Sequence, residues 1–184
     1  MDAGFVGRRW NRGASFLMNV TETYHALQPR YPEFQGKVAL VTGSSRGVGK
    51  GIAVRLAREG MRLIIHGHLP AEVEATAAEL RAVGAEVTGV LLDFQQDNAA
   101  EHLIETTLQT YGGLFLLVNN AADLTVRRTS EVEPALLDRQ LHVNLRIPFQ
   151  LCQRAAEQMR AAGEGAIVNI SSIGGQRAHR PGLP

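Results

Sequence analysis

Cysteine is nearly missing from this 184-residue chain: Cys152 stands alone, which excludes an internal disulfide and suits a reducing compartment. It reads as a small buried hydrophobe on a helix. Long apolar runs are missing too, and with them any stretch of membrane-spanning length. An excess of one charge is also lacking. Lys and Arg together number 19 against 18 Asp and Glu, a formal net charge of +1. That balance gives no general attraction to nucleic acid or to an anionic membrane. His66 and His68 have no further Cys, His or carboxylate at a ligand-like spacing, so no metal site is expected. What remains is an ordinary globular composition, 45% hydrophobic and 20% charged, in a length that suits one domain. A soluble, cytoplasmic protein is expected.

The most informative stretch is Thr42-Gly43-Ser44-Ser45-Arg46-Gly47-Val48-Gly49. It follows the apolar run Val38–Val41 and opens a helix-patterned segment that closes at Gly60. A glycine-rich turn between a strand and a helix offers unpaired backbone N–H groups and the positive end of the helix dipole to an anion. Gly43 allows the tight turn, Gly47 lets a phosphate group approach bare backbone, and Gly49 lets the helix pack close to the sheet.

From Lys37 onward strands and helices alternate. Strands are expected at 38–42, 62–66, 86–92, 114–118 and 166–170. Helices are expected between them, at 70–83, 99–111, 134–142 and 144–162, with Pro70 at a helix start and Gly84 after its end. Such repetition predicts an α/β fold, a Rossmann-type doubly wound parallel sheet, ending after its fifth strand. Ligands then sit beyond the carboxyl ends of the strands, where the segments 42–49, 93–94, 119–122 and 171–172 all fall. Residues 1–36, with Gly4, Arg8, Arg9, Arg12 and Gly13 and no apolar period, are expected to be a mobile arm ahead of a domain spanning 37–184. Met18 is a second candidate start.

Taken by themselves, Asn144 reads as a helix cap, Asp93 as a turn or cap residue, and Asn119-Asn120 as a turn after a strand. Ser171-Ser172 reads as a strand-to-loop transition. Together, in this order and spacing, the loop at 42–49, Asp93, Asn119-Asn120-Ala121, Asn144 and the run from Ile167 to Ser172 resemble a classical short-chain dehydrogenase/reductase. The resemblance covers about 34–172.

It implies a nicotinamide coenzyme and hydride exchange with a carbonyl or alcohol substrate, 3-oxoacyl reductase-like, in a protein that forms homo-oligomers. It implies that Gly43, Ser45, Arg46, Gly47, Val48 and Gly49 line the coenzyme phosphates and ribose. Asp93 and the backbone of Phe94 would hold the adenine, with Asn119 and Ala121 on the ribose and nicotinamide side. Asn144 would belong to a proton relay and Ser172 would orient the substrate oxygen. For the choice between NADP and NAD, the end of the second strand reads His66-Gly67-His68, with no acid until Glu72. A carboxylate there is what NAD usually requires. Arg46 suits a 2′-phosphate, with His68 assisting, so NADP is expected.

The family's chemistry also uses a Tyr-x-x-x-Lys pair after this serine, and these 184 residues contain none: Tyr24, Tyr31 and Tyr111 are followed four positions later by Gln28, Gln35 and Phe115. Lowering a tyrosine from about 10 to about 7 takes roughly 4 kcal/mol from a nearby cation. This polypeptide is therefore expected to be inactive or nearly so as it stands. The alternatives are a catalytically silent dinucleotide-binding module and one half of a split protein. Without the segments that follow it in the family, the fifth strand should show Ile167, Val168 and Ile170 on an open edge. Two positions depart from the family pattern on what should be the nicotinamide side, Phe115 in place of an acid and Ala122 in place of a glycine.

Overall fold

A computed structural model describes residues 18–172. Its centre is a five-stranded, all-parallel sheet in the order β3-β2-β1-β4-β5. The strands are β1 (Val38–Val41), β2 (Arg62–Gly67), β3 (Val87–Leu91), β4 (Leu116–Asn119) and β5 (Ala166–Asn169). Along β1 the side chains alternate between two cores. Ala39 and Val41 face α2 (Gly47–Arg58) and α3 (Pro70–Ala82) through Ala53, Val54, Ala57, Ala77 and Leu80. Leu40 faces the other way, into a core built from α4 (Ala99–Tyr111) and α6 (Ile147–Ala162) with Leu103, Ile104, Ile147, Leu151 and Ala155. A strand buried on both faces has to be a continuous apolar run, which is why Val-Ala-Leu-Val is fully buried.

The sheet reverses direction between β1 and β4, since β2 and β3 lie on one side of β1 and β4 and β5 on the other. The loops that leave β1 and β4 therefore diverge and open a crevice above their carboxyl ends. Helix starts follow local chemistry: Pro70 begins α3 and Pro134 begins α5 (Pro134–Leu141). Gly112 and Gly163 end α4 and α6 in the left-handed conformation.

Two expectations change. The arm is folded from Asn19 onward, where the Asn19 side chain caps α1 (Val20–Ala26) by accepting from the Glu22 N–H at 3.1 Å. Val20 is buried against the α2/α3 side. The chain is then tied to α2 by Glu59, a buried carboxylate that accepts from the N–H groups of Arg30 (2.8 Å) and Tyr31 (2.9 Å) and pairs with Arg55. Burial alone would raise the Glu59 carboxyl, but those two amides and Arg55 hold it below its ordinary range. Tyr24 and Leu27 pack on the same core, so α1 carries a short i, i+4, i+7 pattern with Val20, while the Glu59 tie comes from another element and leaves no signal in 19–31. Residues 1–17 lie outside the described residues.

The second change concerns residues 134–162, which run without a break. A π-helical turn, His142–Arg146, joins α5 to α6. Asn144 is therefore inside a helix and caps nothing. β5 is the edge strand among the described residues, where Ile167 packs on the α4/α6 core while Val168 and Ile170, on the other face, are 43% and 44% exposed.

Replacing Glu59 by Ala leaves two N–H groups and a guanidinium without their acceptor. The expected cost is about 1–3 kcal/mol in chemical denaturation, with loss of amide protection at Arg30 and Tyr31 by hydrogen exchange.

Candidate functional site

The crevice is held shut at its base by two side chains. Thr42 Oγ1 accepts from the N–H groups of both Asn120 and Ala121, each at 3.0 Å. Asn120 Nδ2 donates to the carbonyls of Thr42 (2.9 Å) and Gly43 (3.0 Å). The tip of β1 and the tip of β4 are thus stitched together, and the β1 side of the stitch requires glycine at two positions. A Cβ on Gly43 would lie 2.8 Å from Ala121 Cα, and one on Gly49 would collide with the Gly43 carbonyl. Gly47 shares a left-handed φ with Gly43 (+56° against +61°) but nothing lies within 4 Å of where its Cβ would be, so its backbone faces open space.

Helix α2 starts at that point without a cap. Arg46 is its flanking residue, in extended conformation, with no side-chain hydrogen bond to the first turn and no acid in that turn. The first amides of α2 are thus available to an anion, and the dipole favours one. Val48 is 67% exposed and the Arg46 side chain 68% exposed beside them. Arg46 Nη1 donates to Glu72 Oε1 at 3.1 Å, and Ser45 Oγ donates to the other oxygen of the same carboxylate at 3.3 Å.

Behind the loop sits a residue that sequence reasoning passed over, the buried His66. Its Nδ1 accepts from the Gly43 N–H at 3.1 Å, its Nε2 donates to the Leu92 carbonyl at 2.9 Å, and its ring stacks on Phe94 with centroids 4.2 Å apart. Its own amide donates to Ser44 Oγ, which in turn donates to Val41 O. Accepting on one nitrogen and donating on the other defines a neutral imidazole. Burial lowers the ring from its ordinary 6.5 to about 4, although the Leu92 carbonyl pulls the other way. The sequence presents His66 only as part of an acid-free strand end and as a poor metal ligand. Its position inside an apolar strand, next to the last residue at the carboxyl end, is the available signal. Among the described residues no cluster of three metal-binding side chains exists.

The remaining site residues divide. Asp93 turns back on Gln95, accepting from its N–H at 2.9 Å, and Phe94 is buried with its carbonyl accepting from His142 Nε2 at 2.9 Å. Asn144 Oδ1 accepts from the Asp123 N–H (2.7 Å) and Nδ2 donates to the Asp123 carbonyl (3.0 Å), so both ends of its amide clamp the loop after β4. Asp123 is itself held by Arg139 at 2.7 Å and by Thr125. Asn119 is buried and turns away from the glycine loop. Its Nδ2 donates to Asn169 Oδ1 at 2.8 Å, and Cys152 Sγ lies 3.3 Å away. Of the two asparagines, Asn120 is the one that meets the loop. Ala121 packs on Gly43, His68 is exposed at the turn into α3, and Ser172 is exposed three residues past β5. Phe115 lies at the opposite end of the sheet, under Lys37 Nζ at 3.9 Å and against Phe34, so it has no bearing on the nicotinamide side.

The short chain dehydrogenase family matches residues 37–183. The chain belongs to the short-chain dehydrogenase family. Relatives in it include an uncharacterized oxidoreductase of Thermotoga maritima, 36% identical over 77% of this chain and 56% of the relative. A 7alpha-hydroxysteroid dehydrogenase of Bacteroides fragilis is 31% identical over 81% of this chain and 59% of its own. Among solved structures, a Serratia marcescens short-chain dehydrogenase/reductase variant superposes with a TM-score of 0.75 at 35% identity, covering 81% of this chain and 60% of that one. A Burkholderia cenocepacia short chain dehydrogenase in complex with NADP gives 0.74 at 31%, covering 81% and 60%. The chain spans a little over half the length of these short-chain dehydrogenase relatives. The Thermotoga maritima and Bacteroides fragilis relatives are, by name, an oxidoreductase and a dehydrogenase.

The folded-state value of His66 lies below its unfolded one. Its stabilisation is therefore complete above about pH 6.5 and is lost as pH falls toward 4. Denaturation of wild type should lose up to roughly 3 kcal/mol across that window beyond the loss in His66→Asn, which keeps an acceptor for Gly43 but has no proton to gain.

Proposed function

We propose that this chain forms the coenzyme half of an NADP(H)-dependent carbonyl reductase or alcohol dehydrogenase. The carrying observation is the uncapped, acid-free start of α2 at bare Gly47, with Arg46 beside it and the β1/β4 crevice behind it. The cradle fits a dinucleotide. The amides at 47–49 receive the diphosphate, Ser45 and Arg46 face the ribose, the turn at Asp93-Phe94 borders the adenine, and Ala121 borders the nicotinamide side. When bound, the coenzyme supplies or accepts the hydride.

The chain's own groups orient and exclude water. Thr42 and Asn120 keep the two strand tips at one separation, Asn144 fixes the course of the segment from Asp123, and Ser172 is assigned the donor that steadies charge on a substrate oxygen. Arg46 favours NADP, because a guanidinium pairs bidentately with a phosphate monoester and no carboxylate side chain stands on the last residues of β2. The NADP complex of the Burkholderia cenocepacia relative supports this reading. The substrate is a small-molecule carbonyl or alcohol, in a cytoplasmic protein that self-associates; among the described residues no helix is long and apolar enough to cross a membrane.

Calorimetric titration of the 184-residue polypeptide with NADPH and NADH tests the reading. Arg46→Ala should weaken NADPH about fivefold or more and NADH less than about twofold; equal losses reject the NADP assignment. Turnover should be absent or barely measurable in the same sample, because general acid catalysis is worth about 10²- to 10⁴-fold and no Tyr-x-x-x-Lys pair is present.

A further inference from the structure

We propose that Glu72 sets the coenzyme preference of this site by competing with a 2′-phosphate for Arg46; the inference rests on the coenzyme assignment above. Glu72 is in the first turn of α3, remote in sequence from the glycine loop, yet its carboxylate holds Arg46 with one oxygen and Ser45 with the other, at 3.1 and 3.3 Å. One turn further along α3, Thr76 Oγ1 donates to the Ser45 carbonyl at 2.7 Å. Two points of attachment fix the register of α3 against the loop and keep Glu72 at this distance.

The end of β2 supplies no carboxylate in its place. A Cβ on Gly67, the last residue of β2, would lie 2.7 Å from Ser45 Oγ and 2.9 Å from Val73 Cγ2. A side chain there would require Ser45 or Val73 to shift, and the acid arrives from the neighbouring helix instead.

The consequence is electrostatic. Arg46 and Glu72 cancel, so the rim of the site is close to neutral before any coenzyme enters. A 2′-phosphate carries about −1.5 to −2 charge. To reach Arg46 it must displace the carboxylate or lie beside it, and both reduce the gain from the guanidinium. A ribose 2′-hydroxyl brings no charge and leaves the ion pair intact. Glu72 thus moderates a preference that Arg46 alone would make steep.

The test is calorimetry on the full 184-residue chain with NADP⁺, NAD⁺, adenosine 2′,5′-bisphosphate and 5′-AMP, the last two reporting on the ribose end alone. Glu72→Gln should tighten NADP⁺ and the bisphosphate about three- to tenfold while NAD⁺ and 5′-AMP change less than about twofold. The gain should shrink with added salt and vanish in an Arg46→Ala background. Glu72→Ala is the second variant and should shift the same ratio in the same direction. An unchanged ratio, a gain that survives Arg46→Ala, or a selective loss of NAD⁺ overturns the competition while leaving the coenzyme site in place. A wild-type chain that binds none of the four ligands overturns both.

Discussion

The structure depends on one short set of hydrogen bonds, those between the tips of β1 and β4. Thr42 and Gly43 on one tip and Asn120 and Ala121 on the other share four hydrogen bonds across the point where the strand order reverses. Without them the crevice would have no defined width, because the two loops leave the sheet in opposite directions. The contacts are possible only because Gly43 and Gly49 have no side chains to keep the backbones apart. Close approach, rather than a general need for loop flexibility, explains those two glycines. Gly43 also has a left-handed φ; at Gly47 that conformation, under open space, is the whole demand.

Around that stitch the molecule uses buried polar groups as joints. His66 ties the loop to the ends of β2 and β3, and Glu59 ties the segment before β1 to α2. Each has its hydrogen-bonding capacity met on several sides, as burial requires. The exposed Asn144, on a π-helical turn, and the half-buried Asp123 tie down the loop after β4. π-turns of this kind are uncommon and concentrate where function needs a side chain displaced from the regular face.

The fold was legible because its signals are local and periodic: β1 is an apolar tetrapeptide, and α4 has the boundaries its pattern indicates. The glycine loop could be read for the same reason, since its motif lies within one strand–turn–helix unit. What escaped depended on contacts across the sequence. His66 looks like an isolated polar residue in a strand until the Gly43 amide and the Leu92 carbonyl are brought to its two nitrogens. Glu72 was too far along the chain to count as the acid of β2, and only the docking of α3 returns it to Ser45 and Arg46. Asn119 and Asn120 are neighbours of identical type, and strand alternation alone sends one toward Asn169 and the other toward the loop. Phe115 misled because it precedes the strand and so belongs to the far rim of the sheet.

The bare beginning of α2 has a thermodynamic corollary. A helix whose leading amides meet only solvent is an incomplete structural element, and whatever anion lodges there finishes it. Occupancy and rigidity of this segment are then a single equilibrium, so the melting point of the protein becomes a readout of how much dinucleotide surrounds it.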